Sequence, residues 1–287
     1  MDSRKKNTPQ LISDEFLRKA LKEDLGKGDL TTDAVVSKKL QGVGRFLAKQ
    51  DLILCGTDIV QRLFGLLSPH VKIQFSSKDG DAIRKGSVFG IAHGPLHILL
   101  KGERTALNLL QRFSGISTLT HEYQKRIKHS KCKILDTRKT LPLYRSLEKY
   151  AVRMGSGENH RIGLYDQMMV KDNHIAACGG NTAKAVFKAR NKHPSKILVV
   201  EIQKPSQIHD AIDNGADRLL LDNMTNQQIK ACLKTIKKKV PTEVSGQIKL
   251  SRVASLSKLG VDYISVGAIT HSARAADISF KISLIDK

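Results

Sequence analysis

At 287 residues, 40% of them hydrophobic, the chain is long enough to bury a substantial core, in one large domain or two smaller ones, without staples. Its 49 Lys and Arg against 27 Asp and Glu leave a formal charge of +22, which points to anionic partners, either polyanions or small phosphorylated or carboxylated ligands. Cys55, Cys132, Cys178 and Cys232 stand far apart with no C-x-x-C and no histidine at metal-ligand spacing, which excludes a disulfide framework and a structural zinc site.

The opening MDSRKKNTPQLISDEF has no apolar signal-peptide core, and no stretch approaches the length of a membrane span. A soluble cytoplasmic protein with reduced thiols and no membrane partner is expected. The runs Arg4-Lys5-Lys6, Lys38-Lys39 and Lys237-Lys238-Lys239 read first as solvated surface.

In chain order, LISDEFLRKALKEDL predicts a helix with Leu11, Phe16, Ala20 and Leu21 as its apolar stripe. The glycine-punctuated runs VGRFLAK, LILCG, VKIQF and SVFGIA then read as short strands of an α+β domain built on antiparallel pairing. A helix is predicted over 95–113, with Pro95 in its first turn and Gly115 at its end. In it Arg104 falls in the row Leu96, Leu100, Arg104, Leu107, where a cation either snorkels from a core helix or serves a site or an interface.

From residue 133 the pattern becomes regular, with apolar β-rich runs ending at 137, 171, 201, 222, 245 and 267. The last four ends are 21, 23 and 22 residues apart, the length of a strand, loop, helix and loop and too long for hairpins. A steady period without sequence self-similarity, and no G-x-G-x-x-G, favours a parallel βα barrel over a doubly wound sheet.

In such barrels the strand C-termini form the active face, so the residues there are the candidates. They are Asp136, Thr137, Arg138 and Lys139, then Lys171, Asp172, Asn173 and His174, then Glu201, then Asp222 and Asn223, then Ser245, Gly246 and Gln247, then Gly267. Any one of these is compatible with a solvated loop; their recurrence at six strand ends is not. VSGQIK and SVGAITHSA put glycine where backbone N–H groups can approach an anion. Glu201 and Asp222 end consecutive strands, where they could accept sugar hydroxyls, hold Mg²⁺ through oxygen, or neutralise nearby cations. Residues 155–175 add His160, Arg161 and Lys171, and the arginine fork suits planar carboxylates.

The runs ERTALNLLQRFSGIST, DTRKT, LEKYAV, ENHRIGLYD, VKDNHI and SVGAITHS, with EDLGKGDLTTD near the start, resemble the quinolinate phosphoribosyltransferase family over nearly the whole chain. The resemblance implies a type II phosphoribosyltransferase fold: an N-terminal α/β sandwich over 1–115 joined by a returning segment 272–287, and an incomplete α/β barrel over 116–271. It implies transfer of phosphoribose from phosphoribosyl pyrophosphate to quinolinate, with Mg²⁺ and with decarboxylation, giving nicotinate mononucleotide, pyrophosphate and carbon dioxide for NAD synthesis. It also implies a homodimer, or a higher oligomer, in which Arg104 completes the neighbouring site.

The residue roles that follow are equally those of the resemblance. Arg104, Arg138, His160, Arg161 and Lys171 would cage the two carboxylates, beside Thr137, and Lys139 would lie between the ring and the pyrophosphate. Glu201 and Asp222 would hold the ribose hydroxyls and any metal, directly or through substrate. Ser245, Gly246, Gln247, Gly267 and Ala268 would cradle the 5′-phosphate, with Val266 and His271 as further contacts. Lys139, Lys171, Glu201 and Asp222 would be the catalytic set. Ser156 and Leu143 stand where glycine is frequent in the family pattern, and Gln247 where Gly or Asn is, which puts loop geometry and rates in question more than the reaction.

The nearest rival is a transferase of the same fold acting on nicotinate, or a molybdenum-operon paralogue; the density of cations argues for a dicarboxylate. A nucleic-acid-binding protein is the rival from another class, and with aromatics at 5% and no Trp it lacks the stacking residues, so no nucleic-acid partner is expected.

Overall fold

The computed structural model describes residues 12–285, so Leu11 of the predicted stripe and Arg4-Lys5-Lys6 lie outside the described residues. The first helix, α1 (Asp14–Leu25), starts where the Ser13 hydroxyl accepts the Phe16 N–H, and it buries Leu17 and Leu21, with Phe16 and Ala20 half-buried. Asp29 caps α2 (Leu30–Val35) by accepting the Thr32 N–H. Next come β1 (Gln41–Ala48), β2 (Leu52–Ile53), α3 (Thr57–Leu67), β3 (Lys72–Phe75), β4 (Ala82–Ile83) and β5 (Val88–Pro95).

The following helix, α4 (Leu96–Arg126), corrects the expected helix of 95–113 at both ends. Pro95 closes β5 instead of opening the helix. Gly115 does not stop it, because its role is contact: a Cβ there would stand 2.0 Å from the Arg274 carbonyl oxygen. Ser117, Thr118 and Thr120 turn their hydroxyls back onto the carbonyls four residues earlier, so these polar residues do not break the helix either.

The remaining elements are β6 (Lys133–Leu135), α5 (Arg145–Met154), β7 (Met168–Val170), α6 (Asp172–Ala177), α7 (Thr182–Lys192), β8 (Leu198–Ile202), α8 (Gln207–Asp213), β9 (Arg218–Asp222), α9 (Asn226–Ile236), β10 (Thr242–Ser245), α10 (Leu250–Lys258), β11 (Tyr263–Ser265), α11 (Ala268–His271) and β12 (Ile278–Leu284). The chain divides into two compact units. The first holds the described residues up to His121, Ser146–Ser156 and the chain from Ala273; the second holds Glu122–Arg145 and Gly157–Ser272.

The first unit is built on an antiparallel sheet of order β12-β1-β5-β3. Its core is aromatic: Phe46 stacks on Phe280 at 4.2 Å and meets Phe75 at 5.4 Å, while Phe64 meets Phe280 at 6.1 Å. The returning β12 is tied to α4 by Gln111, which donates to the Ile278 carbonyl and accepts the Ala276 N–H on its own carbonyl. Most of α5 also belongs here, although the sequence placed it within the barrel segment 116–271. The reason is its bonding: buried Glu148 accepts from Arg112 at 2.6 Å, the Ala151 carbonyl accepts the Ser117 hydroxyl, and the Tyr150 hydroxyl donates to Asp79.

The second unit carries a parallel sheet of order β6-β11-β10-β9-β8-β7. Each strand from β7 to β11 pairs with the next in sequence and β11 pairs with β6, so the ring closes everywhere except between β6 and β7, where no ladder is formed among the described residues. This is an incomplete α/β barrel. Along that open seam β6 makes only a bridge to Glu158, which also pairs with Lys133 at 2.7 Å. No helix among the described residues is long and apolar enough to cross a membrane, and the four cysteines are free.

Candidate active site

Side chains alternate along a strand, so every second residue of each barrel strand points inward. Leu220 and Asp222 of β9, Glu243 and Ser245 of β10 and Ser265 of β11 line one cavity of about 1020 Å³, together with Met169, Lys171 and Glu201. The same cavity is lined by Thr137, Arg138, Lys139, His160, Arg161, Gly246, Gln247, Gly267, Ala268 and His271. The structure therefore brings fourteen of the sixteen predicted site residues to one place, all in the second unit.

Two predicted members are not there. Val266 is buried, and its N–H donates to the Leu135 carbonyl at 2.9 Å, so it helps close the β11–β6 edge and does not face the cavity. Arg104 lies exposed on α4 in the first unit, in a row whose Leu96 and Leu100 are only half-buried. The apolar face inferred for it is thus partly open, and Arg104 is not among the residues lining the cavity.

On one side of the cavity the cations crowd. Arg161 is 8% exposed, donates to the Gln167 carbonyl at 3.2 Å and lies 3.7 Å from the Met169 sulfur. Burial, and then the neighbouring charge of Arg138, pull its proton affinity below the usual guanidinium range. The Arg138 Nε is buried with no hydrogen-bond partner among the described residues. A buried guanidinium that feels the charge of another, and a second one with an orphaned donor, form a site that calls for an anion. Arg145 holds the surrounding loop by donating to Thr140 and to the Ile162 carbonyl, and the Thr270 hydroxyl donates to the Lys139 carbonyl at 2.7 Å.

Across from them stand the carboxylates. Glu201, 6% exposed, faces Lys171 Nζ at 3.3 Å. Burial raises its proton affinity; Lys171 counters this, Asp222 and Asp172 reinforce it, and the balance stays above the usual carboxylate range. Asp222 accepts from the Asn223 amide at 2.6 Å. No group of three or more metal-ligating side chains occurs among the described residues.

Between these walls run two tight turns. Asn223 (φ 53°), Gly246 (φ 98°) and Gln247 (φ 46°) all lie in the left-handed region, and the Asn223 N–H donates to the Ser245 carbonyl at 3.0 Å. Gly246 has no substitute here, since a Cβ would meet the Asn223 Oδ1 at 2.2 Å. Sequence reasoning did not single out Glu243, Ser265, Met169 or Lys249, which also line the cavity. The inward alternation on β10 and β11 was the available signal for the first two.

Comparison with known proteins agrees with this geometry. Residues 29–114 match the model of the quinolinate phosphoribosyl transferase N-terminal domain, and residues 116–281 that of its C-terminal domain. The chain is 43% identical over 263 residues to a probable nicotinate-nucleotide pyrophosphorylase [carboxylating] of Bacillus subtilis, covering 91% of this chain and 90% of that one. Among solved structures it is similar to NadC from Streptococcus pyogenes (38% identity, TM-score 0.91, 95% of this chain and 97% of that one). It is likewise similar to the nicotinate-nucleotide pyrophosphorylase from Ehrlichia chaffeensis (37% identity, TM-score 0.90, 95% and 99%). With both halves matched and the cation-lined barrel mouth in place, the chain belongs to the quinolinate phosphoribosyltransferase family.

Proposed function

We propose that this chain transfers phosphoribose from phosphoribosyl pyrophosphate to the ring nitrogen of quinolinate with loss of carbon dioxide, forming nicotinate mononucleotide and pyrophosphate in NAD synthesis. The observation that carries the reading is that half-buried Arg138, with its orphaned Nε, and buried Arg161 line one cavity with Lys139 and Lys171. That wall suits a planar dicarboxylate, whose two carboxylates accept parallel hydrogen bonds from guanidinium forks and are held in one orientation.

Lys139 lines the same cavity as the turns of Gly246–Gln247 and Gly267–Ala268, which supports a reading in which it meets the leaving pyrophosphate and those turns receive the 5′-phosphate. Glu201 and Asp222 accept the ribose hydroxyls and stabilise positive charge that grows at C1′ as the C1′–oxygen bond breaks and the nitrogen–C1′ bond forms. The ribosylated ring is cationic and takes up the electron pair released when the 2-carboxylate leaves; a proton then replaces it at C2. Positioning and electrostatics account for the chemistry without a protein nucleophile.

Mg²⁺ fits the carboxylate side. Glu201 is pushed toward its protonated form by burial and by Asp222, so a cation would relieve that corner. Two carboxylates without a third ligating side chain suit an ion held largely by substrate phosphates and water. When bound, Mg²⁺ supplies charge neutralisation for the departing pyrophosphate.

The protein is further inferred to be a cytoplasmic homodimer in which Arg104, exposed in its own chain, completes the partner's site; its free cysteines, three of them buried, suit a reducing compartment. Purified protein with Mg²⁺ and phosphoribosyl pyrophosphate should release carbon dioxide from quinolinate; turnover of nicotinate alone would refute the assignment. Arg104→Ala and Lys171→Ala proteins, each inactive, should regain activity when their subunits are exchanged, since each mixed dimer holds one intact site. Verified heterodimers without recovery would refute the shared site.

A further inference from the structure

We infer that Glu243 is a positioning residue for the acceptor side of the cavity, acting through His160 instead of touching the substrate. The inference rests on the reading of the Arg138–Arg161 wall as the quinolinate site.

Glu243 lies on β10 and is fully buried. Its Oε1 accepts the Ser265 hydroxyl and faces His160 Nε2 at 3.3 Å; its Oε2 accepts from Arg218 at 3.2 Å. The Arg218 guanidinium in turn lies 4.1 Å over the Tyr263 ring. Arg218, Glu243 and Ser265 come from three neighbouring strands and His160 from the segment 155–167, so the carboxylate is fixed from several sides.

His160 is held as firmly. Its backbone N–H donates to Asp136 Oδ1 at 2.8 Å, and its ring Nδ1 accepts the Arg161 backbone N–H at 2.7 Å. A ring nitrogen that accepts carries no proton, so the proton of the neutral ring is on Nε2, directed at Glu243. Nδ1 thus holds the backbone N–H of Arg161, and Nε2 lies 3.3 Å from the Glu243 carboxylate.

That matters because 155–167 contains no helix or strand to set the direction of Arg161. The chain Arg218, Glu243, His160, Arg161 anchors this segment to the barrel interior. Burying a carboxylate is costly unless it is fully bonded, and its partners here also hold it below the usual carboxylate range despite that burial. A glutamine at 243 has one accepting oxygen and cannot satisfy His160, Ser265 and Arg218 together.

The test begins without substrate. In ¹⁵N-labelled protein, His160 should show a protonated Nε2 and an accepting Nδ1, and Glu243→Gln should disturb that pattern. In turnover, Glu243→Gln should raise the KM for quinolinate about tenfold or more while the KM for phosphoribosyl pyrophosphate stays within about twofold. The His160→Gln/Glu243→Gln protein should be no worse than His160→Gln alone, because the two act in series. Ser265→Ala, a milder loss at the same oxygen, should shift the same KM in the same direction if Glu243→Gln does not fold. A proton on Nδ1, an unchanged quinolinate KM in folded variants, or losses that multiply in the double variant would overturn the inference. Failure of the native protein to use quinolinate would instead refute the cavity reading, and the tautomer pattern would still judge the Glu243–His160 link.

Discussion

In the first unit the residues filling the sheet's buried face are Phe46, Phe64, Phe89 and Phe280, whereas inside the barrel of the second they are Glu201, Glu243, His160 and Arg161. Aromatic rings gain from burial wherever they fit together. Buried charges gain nothing unless each finds a partner, and the charge of Arg138 works against that of buried Arg161. The second unit also buries aliphatic side chains such as Val199, Leu221, Val244 and Ile264, so what distinguishes it is the set of charged groups buried among them.

That contrast can be broken from either side. The largest effect is expected from Phe46→Ala, which removes a ring packed against three others and should cost about 3–5 kcal/mol in denaturant unfolding. A loss under about 1 kcal/mol would mean that the aromatic core does not dominate. Next, the barrel mouth should be strengthened by its own ligand. Quinolinate at a hundred times its dissociation constant should add about 2.7 kcal/mol, and Arg138→Ala should abolish most of that gain.

The charged interior should also show its cost through pH. A carboxyl held above its ordinary range takes up a proton on folding, so its ionisation destabilises the folded state as pH rises through the raised value. Glu201→Gln should therefore be more stable than the native protein at neutral pH and lose that advantage in acid, while losing activity. Equal stability at both pH values would argue that Lys171 fully compensates Glu201. Smallest is Leu143→Gly: Leu143 is 88% exposed at φ 68°, so glycine there should stabilise by about 0.5–1 kcal/mol, read as a rise in Tm.

Leu143, Ser156 and Gln247 show how much was legible in the sequence. The family pattern favours glycine at the first two and Gly or Asn at the third, and all three adopt a left-handed φ, the conformation those residues tolerate best. The strand ends were legible because apolar runs stop where the chain meets the cavity. Glu243 was not, because TEVS looks like any strand and its partners come from residues 160, 218 and 265. Gly115 misled for a related reason: the turn it suggested is local, whereas the contact it serves is with Arg274.

The seam between β6 and β7 has one more consequence. Arg138 follows β6, Lys171 follows β7, and Arg161 lies on the chain between them, so the groups proposed for the acceptor flank the gap. Glu201, Asp222, Ser245 and Gly267 instead stand at or just past the ends of strands paired on both sides. On the proposed assignment, recognition of the ring falls on the open edge of the barrel and recognition of phosphoribose on its fully paired part. Residues at the edge can change without disturbing a strand ladder, which makes the acceptor the more easily altered half of this enzyme's specificity.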